Sequence, residues 1–266
     1  MTTRKLAKLE GILAGMKTVI VAFSGGVDSA LLLKVARTVL GEGVLAVTAR
    51  SQTTARHEMR DAVRLAAEFG VNHLVIESDE LKDPRFLKND ADRCYICKKG
   101  RFSMLLKIAA ENSMAFVVEG SNTDDLADFR PGMKAIEELG VKSPLLEAGL
   151  CKAEIRLLSG KLGLSTRDKP PYACLATRIP CGSPITAQRL ARIDACEDLL
   201  REMSLSRQVR VRDYCDTARI EVAAEDIAKL LDNAARRRVT AFFKDLGFRF
   251  VTLDLEGYSM GSTNKG

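Results

Sequence analysis

Tryptophan is absent from this chain, and an aromatic content of 5% leaves few platforms on which nucleic-acid bases would stack. Histidine occurs only at His57 and His73, and there is a single C-x-x-C, so a closed four-ligand zinc site has little material. No apolar run is long enough to span a bilayer, and the opening MTTRKLAKLEGILAGMK lacks the apolar stretch of a signal peptide. The expected location is the cytoplasm, with no membrane partner. The net charge of +6 is dispersed rather than gathered in a run, which does not indicate a nucleic-acid partner and favours small anionic molecules. No internal repeat or low-complexity segment is visible.

Cysteine, by contrast, occurs seven times. An odd number in a reducing compartment argues against a disulfide framework, so each thiol is read as a metal ligand, a nucleophile or a buried hydrophobe.

Through the first half, the apolar runs TVIVAF, VLAVTA, HLVIES and AFVVEG alternate with helix-period segments over residues 30–40, 56–69 and 98–112. That alternation predicts an α/β fold with a doubly wound parallel sheet, whose ligands sit at the carboxyl ends of the strands. A further helix is expected over 151–162. The second half reads as a helix over 186–203, the alternating QVRVRD and ARIEV, one or two helices, and FRFVTLDL. The expected organisation is therefore a nucleotide-binding domain over 1–164 and a smaller α+β domain over 165–266.

The first strand runs into SGGVDS, Ser24 to Ser29, which opens a helix. Gly25 and Gly26 let the backbone turn tightly while its amides and the helix N-terminus face an anion. Ser24 and Ser29 add hydroxyls, and Asp28 is placed to hold Mg²⁺ on the same phosphates. A Walker A loop is excluded, because the lysine and spacing of GxxxxGK[ST] are missing.

SGGVDS resembles the PP-loop of ATP pyrophosphatases, which cleave ATP between the α- and β-phosphates and transfer AMP to an oxygen of the substrate. EGSNTDD, after the fourth strand, resembles that family's second segment and places Gly120, Asn122, Asp124 and Asp125 near ATP and Mg²⁺. The order SGGVDS, DRCYICKK, GSNTDD, DFRPG, KPPYACLATRIPCG and RVR…ARIEV is similar, over nearly the whole chain, to the LarE-type sulfur transferases of nickel-pincer nucleotide assembly. The resemblance implies an adenine nucleotide alpha hydrolase-like fold. It also implies adenylation of pyridinium-3,5-biscarboxylic acid mononucleotide and, as an expectation, a homo-oligomer.

The resemblance makes Cys174 the nucleophile that attacks the adenylated carboxylate, a role suited to a thiolate. Lys169 and Arg178 flank it and are expected to lower its pKa. In the three-cysteine variant of the family, Cys174, Cys181 and Cys215 would bind three irons of a [4Fe–4S] cluster and leave the fourth open to carry sulfide. Without a cluster, Cys174 would be consumed. Arg210 and Arg212 share one face of a strand and suit a substrate phosphate; with Glu221, the resemblance places them in the sulfur-transfer site.

Cys94 and Cys97 form a C-x-x-C expected just before a helix, with redox and structural roles both open, and Tyr95 is expected beside the nucleotide. Cys151 and Cys196 fall on apolar helical stripes and read as core, whereas Asp194 and Asp198 are expected to face water. Three rival readings remain: tRNA thiolation, which expects a concentrated basic surface; an ammonia-using amide synthetase, which leaves YACLATRIPCG without a task; and a non-catalytic scaffold.

Overall fold

A computed structural model describes residues 2–127 and 131–259; of the DFRPG segment, residues 128–130 lie outside them. In chain order the first elements are α1 (Thr2–Met16), β1 (Val19–Ala22), α2 (Val27–Leu40), β2 (Val44–Arg50), α3 (Arg56–Glu68), β3 (Asn72–Glu77) and α4 (Pro84–Leu87). Next come α5 (Arg93–Glu111), β4 (Phe116–Val118), α6 (Pro131–Glu138), α7 (Pro144–Glu147) and α8 (Lys152–Lys161). The remainder holds α9 (Ala187–Glu202), β5 (Val209–Tyr214), β6 (Thr217–Val222), α10 (Ile227–Leu231), α11 (Asn233–Asp245) and β7 (Phe250–Leu253).

The chain forms two compact units. Met1–Ser51, Arg56–Glu80 and Ala91–Tyr172 make up the first, and Gln52–Ala55, Leu81–Asp90 and Ala173–Gly266 the second.

The first unit is a parallel sheet in the order β3-β2-β1-β4. β1 is central, and its Val19, Ile20 and Val21 are wholly buried, as a strand covered on both faces requires. Alternation sends Val19 and Val21 into a core with Leu9 and Leu13 of α1, Leu31 of α2 and Ile155 of α8. Ile20 faces a second core with Phe102 and Leu105 of α5 and Ile136 of α6. The α/β doubly wound reading holds. α1, which composition did not announce, presents the i, i+4, i+7 stripe Leu9, Leu13 and Met16.

Two local expectations are corrected. α5 begins at Arg93, so Cys94 and Cys97 lie inside its first turns rather than before it. Cys151 is the N-cap of α8 and not core: its N–H donates to the Glu154 carboxylate (3.1 Å), while Ile155 and Leu158 alone carry the stripe inward.

In the second unit β5 and β6 form an antiparallel hairpin, and β7 adds parallel to β6. Val209, Val211, Ile220 and Val222 pack with Cys196 and Leu200 of α9 and Val239 and Phe243 of α11. Burial pushes the Cys196 thiol pKa up, as a core thiol requires. The opposite strand face, expected to be polar, is also buried: Arg210, Arg212 and Glu221 are all shielded from solvent. Asp194 is buried too, contrary to the expectation that it faces water, because α9 is enclosed on more than one side.

Glu197 of α9 is fully buried and accepts from Arg178 Nε (2.8 Å), Arg201 (2.9 Å) and the backbone N–H of Val211 (3.0 Å). Burial alone would raise its pKa, but the charges of Arg178, Arg201 and Arg210 outweigh that and hold it well below the carboxylate range. A depressed carboxylate contributes stability that is complete above the ordinary glutamate value near ~4.3 and is lost as pH falls through the folded value. Glu197→Gln is expected to destabilise the protein by about 3–5 kcal/mol at neutral pH, because it strands buried guanidiniums. Denaturant titrations should show that deficit shrinking in acid, where wild type loses the same contribution.

Candidate functional site

The chain leaves β1 for β2 and β3 on one side and returns to β4 on the other, so the topological switch point lies at the carboxyl ends of β1 and β4. SGGVDS follows β1 and EGSNTDD follows β4. Gly25 has a φ of +70°, and a Cβ there would stand 3.1 Å from the backbone N and Cα of Ala62. Gly26 is the N-cap of α2 and has no side chain to cap the first-turn amides, which leaves the helix N-terminus available to an anion. The serines bond within the loop: the hydroxyls of exposed Ser24 and buried Ser29 lie 3.1 Å apart, and Ser29 donates to the Gly26 carbonyl (3.2 Å). They shape the loop.

EGSNTDD is an Asx-type turn. Asn122 Oδ1 accepts from the Asp124 N–H (2.9 Å), and Asp125 accepts from the Asn122 N–H (2.9 Å). The turn packs tightly on the PP-loop, since a Cβ at Gly120 would stand 3.1 Å from the Ser29 nitrogen. Asn122 Nδ2 donates to Asp28 (3.3 Å). Lys152, which sequence reasoning missed, forms an ion pair with Asp28, and its N–H donates to Asp124 (3.1 Å). The structure thus brings Asp28, Asn122 and Asp124 together with a lysine that no motif marks.

Lys169 also belongs here. Its ammonium donates to the Gly25 carbonyl (3.2 Å) and pairs with Glu58 (3.0 Å) and Asp61 (2.9 Å). This replaces its expected role beside Cys174. Burial would raise the pKa of both carboxylates; for Asp61 the hydrogen bond and charge of Lys169 prevail, and for Glu58 His57 and Lys169 do, leaving both lowered. Tyr95, expected beside the nucleotide, instead donates to Glu138 of α6 (2.7 Å). The Cys97 thiol lies 3.8 Å from Glu80, which also pairs with Arg101.

The second unit carries the other candidate thiols, all free. Cys174 is half-buried at the start of a short 3-10 turn, Leu175–Arg178. Its carbonyl accepts from the Thr177 hydroxyl (2.8 Å) and from Arg178 Nη1 (3.1 Å), and Leu175 N–H donates to Thr53 (2.8 Å). Arg178 is therefore a structural clasp whose charge Glu197 balances, rather than an activator of the thiol.

Cys181 is exposed and donates to the Asn89 carbonyl (3.3 Å). Asn89, also missed in the sequence, is fully buried with φ +61°, and its amide donates to the carbonyls of Pro180 (2.8 Å) and Ser183 (2.9 Å). Cys215 is exposed in the turn between β5 and β6, as expected, and holds a φ of +62° that L-residues rarely adopt.

Arg212 engages Glu221 through Nε (3.0 Å) and Nη2 (2.8 Å) and also donates to the Thr177 carbonyl (2.9 Å). Arg219 makes a second bond to Glu221 (2.8 Å). Arg210 lies over the Tyr258 ring, 5.1 Å from its centroid.

Gly25→Ala is expected to lose at least tenfold in affinity for a nucleoside triphosphate, since left-handed φ costs a Cβ-bearing residue about 1–2 kcal/mol before the Ala62 clash. Calorimetric titration with a non-hydrolysable analogue checks this, and circular dichroism should be unchanged.

The family model described as NAD synthase matches residues 8–144. A Lactiplantibacillus plantarum protein named pyridinium-3,5-bisthiocarboxylic acid mononucleotide synthase is 40% identical over 261 residues, covering 98% of this chain and 94% of its own. An uncharacterized Synechocystis protein is 38% identical over 265 residues, covering 100% of this chain and 98% of its own. A tRNA-specific 2-thiouridylase from Rickettsia rickettsii matches at 27% identity over 59% of this chain and 53% of its own. With the PP-loop at the switch point and a relative of this similarity along almost its whole length, the chain belongs to the LarE family of ATP-dependent sulfur transferases within the PP-loop superfamily.

Proposed function

We propose that the protein adenylates a carboxylate of pyridinium-3,5-biscarboxylic acid mononucleotide, releases pyrophosphate, and converts the acyl adenylate to a thiocarboxylate. The observation that carries this reading is the near full-length likeness to the synthase named for that product. The geometry supports the first step. The uncapped first turn of α2, with Lys152 and Lys169 alongside, suits a polyphosphate, and Asp28 with Asp124 supplies the oxygen donors Mg²⁺ prefers. Asp28 would hold the ion, which would neutralise phosphate charge.

A carboxylate is a poor electrophile until AMP is attached. In the sacrificial route the Cys174 thiolate attacks the acyl carbon, AMP departs with the bonding pair, and a thioester forms. A base then takes the Cys174 Cα proton. The Cβ–Sγ bond breaks with its electrons on sulfur, leaving dehydroalanine and the product thiocarboxylate. In the cluster route, Cys174, Cys181 and Cys215 would hold a [4Fe–4S] group whose open iron supplies sulfide as the nucleophile. The donor set fits this group: three free thiols lie in one unit, two of them exposed on loops braced by buried polar side chains. That bracing favours the cluster route, because a single-use enzyme has no task for Cys181 and Cys215. Arg210 and Arg212, expected at the mononucleotide phosphate, are shielded from solvent, and Arg212 is engaged by Glu221 and the Thr177 carbonyl, so in this reading they brace the thiol segment rather than bind a phosphate.

Pyrophosphate release is expected to need both ATP and the pyridinium dicarboxylate mononucleotide; release with tRNA instead would overturn the substrate assignment. Cys174→Ala should keep pyrophosphate release and lose thiocarboxylate. Anaerobic iron analysis with mass measurement separates the routes: about four irons per chain supports the cluster, and dehydroalanine at Cys174 without iron supports sacrifice.

A further inference from the structure

Two of the three candidate thiols sit on loops that one arginine joins. Arg189, in the first turn of α9, donates through Nε to Asp213 Oδ1 (3.1 Å) and through Nη2 to the Asp213 carbonyl (2.8 Å). Its Nη1 reaches the other loop, donating to the Ser183 hydroxyl (2.8 Å) and the Pro184 carbonyl (2.7 Å). Ser183 lies two residues beyond Cys181, and Asp213 two residues before Cys215.

Each loop is also held by a side chain of its own from elsewhere in the unit. Asn89 holds the backbone around Cys181. Asp213, fully buried, accepts from the Cys215 N–H (3.0 Å), and Arg192 pairs with Asp213 (2.7 Å) while donating to the Cys215 carbonyl (2.6 Å). A hairpin turn of this length would ordinarily place glycine or asparagine at its left-handed position. Here cysteine occupies it and a buried charge network restrains it, a pattern of strain kept where a side chain is used.

We propose that Arg189 is a positioning residue that sets the spacing between the Cys181 loop and the Cys215 turn, so that the two thiols act as one site. The planar guanidinium fork is what allows one side chain to serve both loops at once; a lysine offers no such fixed geometry. The inference deepens the cluster reading above and rests on it for its functional meaning.

The test uses the full chain with two readouts. Anaerobic reconstitution with ferrous iron and sulfide, followed by chelator challenge, should show Arg189→Met and Arg189→Lys losing iron retention by roughly 10- to 100-fold, the usual cost of removing a residue that orients metal ligands. The visible and paramagnetic spectra of what remains should be heterogeneous. The second readout needs no metal: with Cys94, Cys97, Cys151 and Cys174 replaced by serine and Cys196 buried, bismaleimides of graded spacer length should link Cys181 to Cys215 over a narrow range when Arg189 is kept and a broad one in both variants. Should Arg189→Met fail to fold, Arg189→Lys, which keeps the charge on Asp213, carries the comparison.

Unchanged spacer profiles with unchanged iron retention would overturn the positioning role. A broadened profile in a protein whose parent holds no iron would uphold the role and remove the cluster reading instead.

Discussion

The carboxylate of Glu197 is the contact on which the second unit turns. One buried side chain receives the Arg178 guanidinium, the Arg201 guanidinium and the outward N–H of Val211 on strand β5. It thereby ties the segment that carries Cys174, helix α9 and an edge strand to a single point. An apolar residue of similar size would pack there without satisfying any of these donors, and each would then bear its full desolvation cost. The same contact covers part of an open strand edge, where unpaired amides would otherwise invite another chain.

Asp213 repeats the arrangement at a second position. Its carboxylate gathers Arg189, Arg192 and the Cys215 amide. Glu221 makes a third such centre with Arg212 and Arg219. The segment that carries Cys174 and Cys181 buries Leu175, Ala176 and Ile179, and directional polar bonds, charge-assisted at Arg178 and Asp213, add to that burial in fixing the thiol-bearing loops. Such bonds specify angles as well as distances, which suits reactive atoms that must be presented in fixed directions.

The first unit builds its site by a different route. Close approach of backbone does most of the positioning: Gly25 against Ala62, and Gly120 against the start of α2. The donors are main-chain amides at a helix N-terminus, and lysines from distant segments supply positive charge. Backbone amides lose no side-chain entropy on meeting a polyphosphate, so a loop of this kind is preorganised by its fold alone.

Local pattern was sufficient for the alternating strands and helices, the switch-point placement of SGGVDS and EGSNTDD, and the Cys215 turn, because periodicity and turn chemistry depend on neighbours a few residues apart. Pattern misjudged Cys151 and Asp194, since an N-cap and a helical stripe share spacing, and burial on a helix depends on what packs against it. It also gave no sign of Asn89, Lys152 or Arg189. Asn89 meets Ile179 across 90 residues and Lys152 meets Asp28 across 124. Nothing in a residue's type or spacing names a partner at that distance. Which charges are buried, and what they hold, was settled when segments far apart in the chain packed together and their polar groups had to be satisfied without water.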